Sequence, residues 1–143
     1  MKTLHIACLI AVLALSACGD RTIHSGDLTL SRNPAGFAGD FPPELVYPSG
    51  KPKLLGVLDT AGFWSPAQYA VLIETTDQAE TVIDHYLNLL KKDNWQILQS
   101  RHFEKDGKTV IVAESFVQQT VTIVVEDGDA ARVKLYLKKS SDD

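Results

Sequence analysis

Catalysis needs nucleophiles, acids and bases held within hydrogen-bond reach of one another, and this chain of 143 residues offers few candidates. Its thiols are Cys8 and Cys18, and its imidazoles are His5, His24, His85 and His102. His102 lies in an alternating run with Ser100 and Glu104 on the same strand face. Residues two apart on a strand sit about 6.5–7 Å apart, too far for the hydrogen bonds of a triad, so this reads as a solvated face. No two His recur at i, i+2 or i, i+4, which leaves zinc-type ligation without a template. Asp127-Gly128-Asp129 is too short for a calcium loop and reads as a turn. Lys91-Lys92 and Lys138-Lys139 are solvated pairs, not basic tracts, and no Gly-rich phosphate loop is present. The expectation is a non-enzymatic protein with no cofactor and no metal. One loop stands out, Thr60-Ala61-Gly62-Phe63-Trp64-Ser65-Pro66, with two adjacent aromatics. Phe63 and Trp64 either fold back to plug one end of a sheet or form a partner-binding spot.

Composition bounds what could position such residues. With 14 Lys+Arg, 18 Asp+Glu and 45% hydrophobic residues, the chain reads as one ordered domain. Its formal net charge of −4 argues against nucleic acid or an anionic membrane surface as the main partner. The N-terminus is different in kind. Lys2 precedes a run from Ile6 to Ala17 that holds no charge. As a helix that run would cover about 18 Å of a hydrocarbon core about 30 Å thick, too little to span it. It reads as the apolar region of a secretory signal.

Leu15-Ser16-Ala17-Cys18 ends this run and resembles a bacterial lipobox: Leu, a small residue, Ala or Gly, then Cys. The resemblance implies cleavage between Ala17 and Cys18, a signal peptide over residues 1–17, and a diacylglyceryl group on the Cys18 sulfur. Acylation of the new amine, such as palmitate, follows in many bacteria. Two or three acyl chains, at about 0.8 kcal/mol per buried methylene, anchor a protein durably. Cys8 leaves with the signal, so the mature chain is expected to carry no free thiol and no disulfide. Gly19 follows the modified Cys, with Asp20 only after it; the resemblance then implies the outer membrane, facing the periplasm, over the inner membrane.

From Gly19 to Pro52 the chain holds most of its Pro and Gly, including Pro42, Pro43, Pro48, Gly26, Gly36 and Gly39. Residues 18–52 therefore read as the lipidated N-terminus and a mostly irregular tether, about 30–35 Å long as a flexible coil. Leu28-Thr29-Leu30 alternates and pairs locally at most. Phe41, Leu45, Val46 and Tyr47 are too apolar for a linker and are expected to lie on the domain; a Pro-rich ligand for a partner is the alternative.

Residues 53–139 read as an α+β domain, with 140–143 a polar tail. Strands are expected at Leu54–Leu58, Gln68–Thr75, Trp95–Phe103, Thr109–Phe116, Thr120–Glu126 and Ala131–Lys138. Ala79, Val82, Ile83, Tyr86, Leu87 and Leu90 form one helical stripe, with Asp77 and Glu80 as a capping box and Asn94 as a left-handed stop. The order β-β-α-β-β-β-β predicts one amphipathic helix packed on an antiparallel sheet of five to six strands. The run Thr76-Asp77, Val82, Tyr86, Leu90 and Trp95 resembles small helix-on-sheet domains of bacterial envelope lipoproteins, including accessory subunits of outer-membrane assembly. The expected function is a cell-envelope lipoprotein held at the membrane by Cys18, its domain an accessory module for an envelope protein. The alternative is a small-molecule or lipid carrier with a cavity between helix and sheet, lined by Val82, Tyr86 and Leu90.

Overall fold

Val, Ile and Leu at every second position dictate strands over most of the chain, and one segment of period 3.6 interrupts them. The computed structural model describes residues 21–37, 41–59 and 67–139. Cys18, Phe63 and Trp64 lie outside the described residues, as do the expected signal segment and polar tail.

The strands are β1 (Arg21–Ser25), β2 (Leu28–Arg32), β3 (Lys51–Leu58), β4 (Gln68–Glu74), β5 (Gln96–Phe103), β6 (Lys108–Glu114), β7 (Thr120–Glu126) and β8 (Arg132–Lys138). The helix α1 is Ala79–Lys92, between β4 and β5. All strands join one antiparallel sheet in the order β1-β2-β3-β4-β8-β7-β6-β5. The expected sheet of five to six strands is thus corrected to eight, and the order to β-β-β-β-α-β-β-β-β. Both additional strands fall in the stretch expected to be an irregular tether. Gly26-Asp27 forms a two-residue hairpin turn between them, with Gly26 at φ +58°, a conformation that only Gly adopts without cost.

Tyr69, Val71 and Ile73 of β4, Ile111 and Ala113 of β6, Val121, Ile123 and Val125 of β7 and Val133, Leu135 and Leu137 of β8 share the buried face. The helix lays Ala79, Val82, Tyr86 and Leu90 on it. Each such aliphatic side chain contributes about 1.5–3 kcal/mol by leaving water. Asn94 ends the helix at φ +58°, and the Trp95 N–H donates to the Leu90 carbonyl at 2.8 Å. The expected capping box does not form. Gln78 takes the N-cap position without a side-chain bond, and the Asp77 carboxylate is used elsewhere.

Beside the helix, the segment from Phe41 to Tyr47 covers the β4 side of the same face. Phe41 stacks on Phe37 and meets Tyr69 edge-on, a single 3₁₀ turn runs Pro43–Leu45, and Leu45 has no exposed surface. The Tyr86 hydroxyl donates to the Leu45 carbonyl at 3.1 Å. Gly50 then lets the chain enter β3, since a Cβ there would stand 2.2 Å from Ile73 Cγ2. The segment is therefore core, and Leu45→Ala is expected to lower the unfolding free energy by about 2–5 kcal/mol in urea titration. An unchanged midpoint would mean that it is a free linker.

Candidate functional site

Alternation gives every strand two faces, and the described elements cover one of them. Among the described residues, helix α1 and the Phe41–Tyr47 segment both pack on the same side. None of the described elements covers the opposite face. Its composition follows from the β1–β2 hairpin, which is amphipathic in the reverse sense to β4, β6, β7 and β8. Thr22, His24, Thr29 and Ser31 point to the helix side, linked across the strands by Thr22 Oγ1–Ser31 Oγ at 3.2 Å and His24 Nδ1–Thr29 Oγ1 at 3.1 Å. Ile23, Leu28 and Leu30 point to the open side, where Ile23 is 62% exposed.

The cross-strand register then builds rows on that face. One row runs Ile23, Leu30, Gly56, Ala70, Tyr136 and Thr122 over successive strands. Gly56 and Ala70 are the shortest members and stand side by side between Leu30 and Tyr136. They form the floor of a groove of about 430 Å³, walled by Leu28, Leu58, Thr122 and Tyr136. A methyl added at Gly56 would rest 3.8 Å from Leu30 Cδ1 and from the Ala70 Cβ, so the floor accepts Ala but is raised by anything longer.

A second row is charged and largely neutralises itself: Glu74, Arg132, Glu126 and Lys108 alternate in sign along it. Glu126 pairs with Arg132 at 3.3 Å and with Lys134, while Lys53 reaches Glu74 at 3.4 Å. Glu126 Oε2 is near enough to Arg132 to share charge but makes no aligned hydrogen bond.

The end of the sheet beside Leu28, Leu58 and Gln68 carries a further feature. The β6–β7 turn exposes Phe116 by 89% and Val117 by 47%. The turn is tied: the Ser115 N–H donates to the Gln119 carbonyl at 2.9 Å, and the Gln119 N–H to Ser115 Oγ at 3.1 Å. The β3–β4 connection, which contains Phe63 and Trp64, leaves from Leu58 and returns at Gln68 at this same end. Sequence reading placed Phe116 inside a strand. The signal for a displayed tip was its place beside Val117 between two strands, followed by Gln118-Gln119.

Elsewhere the expected sites resolve into structure. His24, which falls in the expected tether, lies in β1 and bonds Thr29 Oγ1 on β2. His102 bonds Thr109 Oγ1 at 3.0 Å, across to the next strand and away from any triad. Val82, Tyr86 and Leu90, the cavity lining of the alternative carrier reading, each have 0% exposure and are packed in the core. Among the described residues no group of three or more His, Cys, Asp or Glu is placed to hold a metal ion.

One polar knot remains, on the covered side. Asp77 Oδ2 accepts from the Tyr47 hydroxyl and from Ser49 Oγ, each at 2.7 Å. The Ser49 and Tyr47 bonds hold the Asp77 carboxyl below its usual range. Burial and the hydrogen bond to Asp77 raise Tyr47, and burial raises Tyr86, so both phenols stay protonated donors. This arrangement ties the Tyr47 segment to the start of α1 and activates no nucleophile. His85 meets the rings of Tyr47 and Tyr86 edge-on at 5.0 and 5.3 Å, and its buried Nε2 has no partner.

Burial holds His85 below the usual imidazole range, so below pH of about 6.5 the unfolded chain takes the proton first. Stability present above that pH is therefore lost as pH falls through it. Urea titrations at stepped pH should show this slope, and His85→Phe should flatten it. Asp77→Asn should remove a separate, more acidic loss, which begins as pH falls through the ordinary carboxylate range, where the unfolded chain takes the proton, and ends at the depressed folded value.

No protein-family model, curated protein or solved structure matches the chain.

Proposed function

We propose that this chain is a lipid-anchored cell-envelope protein whose domain is an interaction module, docking another envelope protein on the open face of its sheet. The observation that carries the docking reading is the apolar groove over Gly56 and Ala70, walled by Leu28, Leu58 and Tyr136 and covered by none of the described elements. Monomeric proteins rarely leave such a continuous apolar patch to water unless something binds it. The anchoring reading rests on Leu15-Ser16-Ala17-Cys18, with the lipid on Cys18 and the domain facing the periplasm from the outer membrane. Among the described residues no helix is long and apolar enough to cross a membrane. In this reading attachment is the task of Cys18, and recognition that of Leu28, Leu58, Ala70 and Tyr136.

Two measurements test the two halves. Intact mass of the native protein should give a chain beginning at Cys18 with added acyl mass, and Cys18→Ser should move the protein from the membrane to the aqueous fraction. An unmodified Cys18 would sink the anchor. A photocrosslinker at position 136 should give a discrete protein adduct that is absent from position 84 on the helix and is abolished by Ala70→Glu. Equal labelling at both positions would sink the docking surface.

A further inference from the structure

The open face is not uniform in charge. The row next to the groove runs Arg21, Arg32, Leu54, Leu72, Lys134, Val124, Val110 and Arg101, and it contains no carboxylate. Two of its cations are engaged: Lys134 pairs with Glu126, and Arg101 lies over the Phe103 ring at 5.0 Å. The other two, Arg21 and Arg32, are direct cross-strand partners at the sheet edge, and both are exposed. Like charges directly opposite one another destabilise a hairpin. No ion pair among the described residues relieves this one. Arg21 and Arg32 line a recess of about 310 Å³ together with Ile23, Leu30 and Leu54. Paired guanidinium groups match a phosphate, and an aliphatic floor matches what a phosphate is attached to in an amphiphile.

Position selects among amphiphiles. Only Gly19 and Asp20 separate Cys18 from Arg21, so three steps of backbone hold the first strand within about 10–11 Å of the Cys18 Cα. We propose that this corner of the sheet seats on the anionic phospholipid headgroups of the membrane that carries the anchor. Arg21 and Arg32 bind headgroup phosphate, and Ile23, Leu30 and Leu54 rest at the acyl boundary. The proposal rests on the Cys18 anchor only for its choice of a lipid surface; the cationic, apolar corner is a property of the folded chain.

The mature Cys18→Ser chain isolates that property, because it lacks the lipid. It should float with vesicles of equal phosphatidylglycerol and phosphatidylcholine, less so at high salt, and not with phosphatidylcholine alone. Arg21→Gln with Arg32→Gln should weaken this binding about thirtyfold. Lys91→Gln with Lys92→Gln, on the helix, should leave it unchanged. Arg21→Glu should also weaken it while placing a carboxylate opposite Arg32, a pairing that favours the hairpin, so the loss cannot be ascribed to unfolding. Equal binding to both vesicles, indifference to Arg21 and Arg32, or saturation of the site by millimolar inorganic phosphate without vesicle binding would overturn the proposal. A discrete protein adduct from a crosslinker at position 23, in place of lipid, would overturn it as well. Intact mass of the native chain reports on Cys18 independently, so failure of the anchor and failure of the headgroup site are separate results.

Discussion

One helix cannot cover two faces of a sheet. Helix α1 has 14 residues and is about 21 Å long and 10 Å wide. Eight strands span about 34 Å. Even the buried face exceeds the helix, and the shortfall is met by the segment that enters through Phe41. That segment is held at both levels of packing. Phe41 and Leu45 bury apolar surface, while Tyr86 and Asp77 accept or donate the bonds that fix its backbone and Tyr47. With the helix and this segment both committed to one side, the described chain has no layer left for the other.

The uncovered face therefore has to be stable in water or covered by something else, and its two halves differ in this respect. Across β7 and β8, Glu126 pairs with Arg132 and Lys134, and Lys108 of β6 stands beside Glu126 in the same row, a polar edge that water solvates well. Across β1 to β4, Ile23, Leu28, Leu30, Leu54, Leu58 and Leu72 make an aliphatic field. The hairpin is responsible. Had Thr29 and Leu30 exchanged faces, its apolar residues would have joined the core side, and the open face would have been polar at that edge. A one-residue shift in phase thus decides whether the apolar residues of this hairpin lie on the helix side or on the open side, because strand side chains alternate with period 2.

Much of this architecture is legible in the amino-acid sequence. The helix, its Asn94 stop and six of the strands follow from spacing, and the apolar content of Phe41, Leu45 and Tyr47 predicted that they lie on the domain. The β1–β2 hairpin was missed for a physical reason. Pro and Gly density was averaged from Gly19 to Pro52, which submerged Gly26-Asp27, a dipeptide suited to a two-residue turn, between two short alternating runs. Asp77 was read as a cap because its position relative to Glu80 fits one. The competing donors Tyr47 and Ser49 lie about thirty residues earlier and carry no local signal. The candidate site was the least legible part. Alternation says which residues share a face, but not whether a second layer covers it.

Net charge averages over the whole chain, as that Pro and Gly count does over the tether. A total of −4 speaks against an anionic surface as partner only if charge is spread evenly. Here Glu80 and Asp84 lie on the helix, while Arg21 and Arg32 stand together on the opposite side of the molecule without a carboxylate in their row. What a surface feels is the patch within a Debye length of about 8–10 Å, not the sum over the chain. The same correction applies to reach. A tether to Pro52 would hold the domain about 30–35 Å from a lipid on Cys18, whereas a sheet that starts at Arg21 allows about a third of that. The exposed Phe116 turn lies between β6 and β7, about 25–30 Å across the sheet from β1 and at the other end of the strands. A lipid on Cys18 would therefore fix one corner of the sheet at the bilayer and leave the diagonal corner farthest from it, the geometry required of a short bridge and not of a floating head on a long leash.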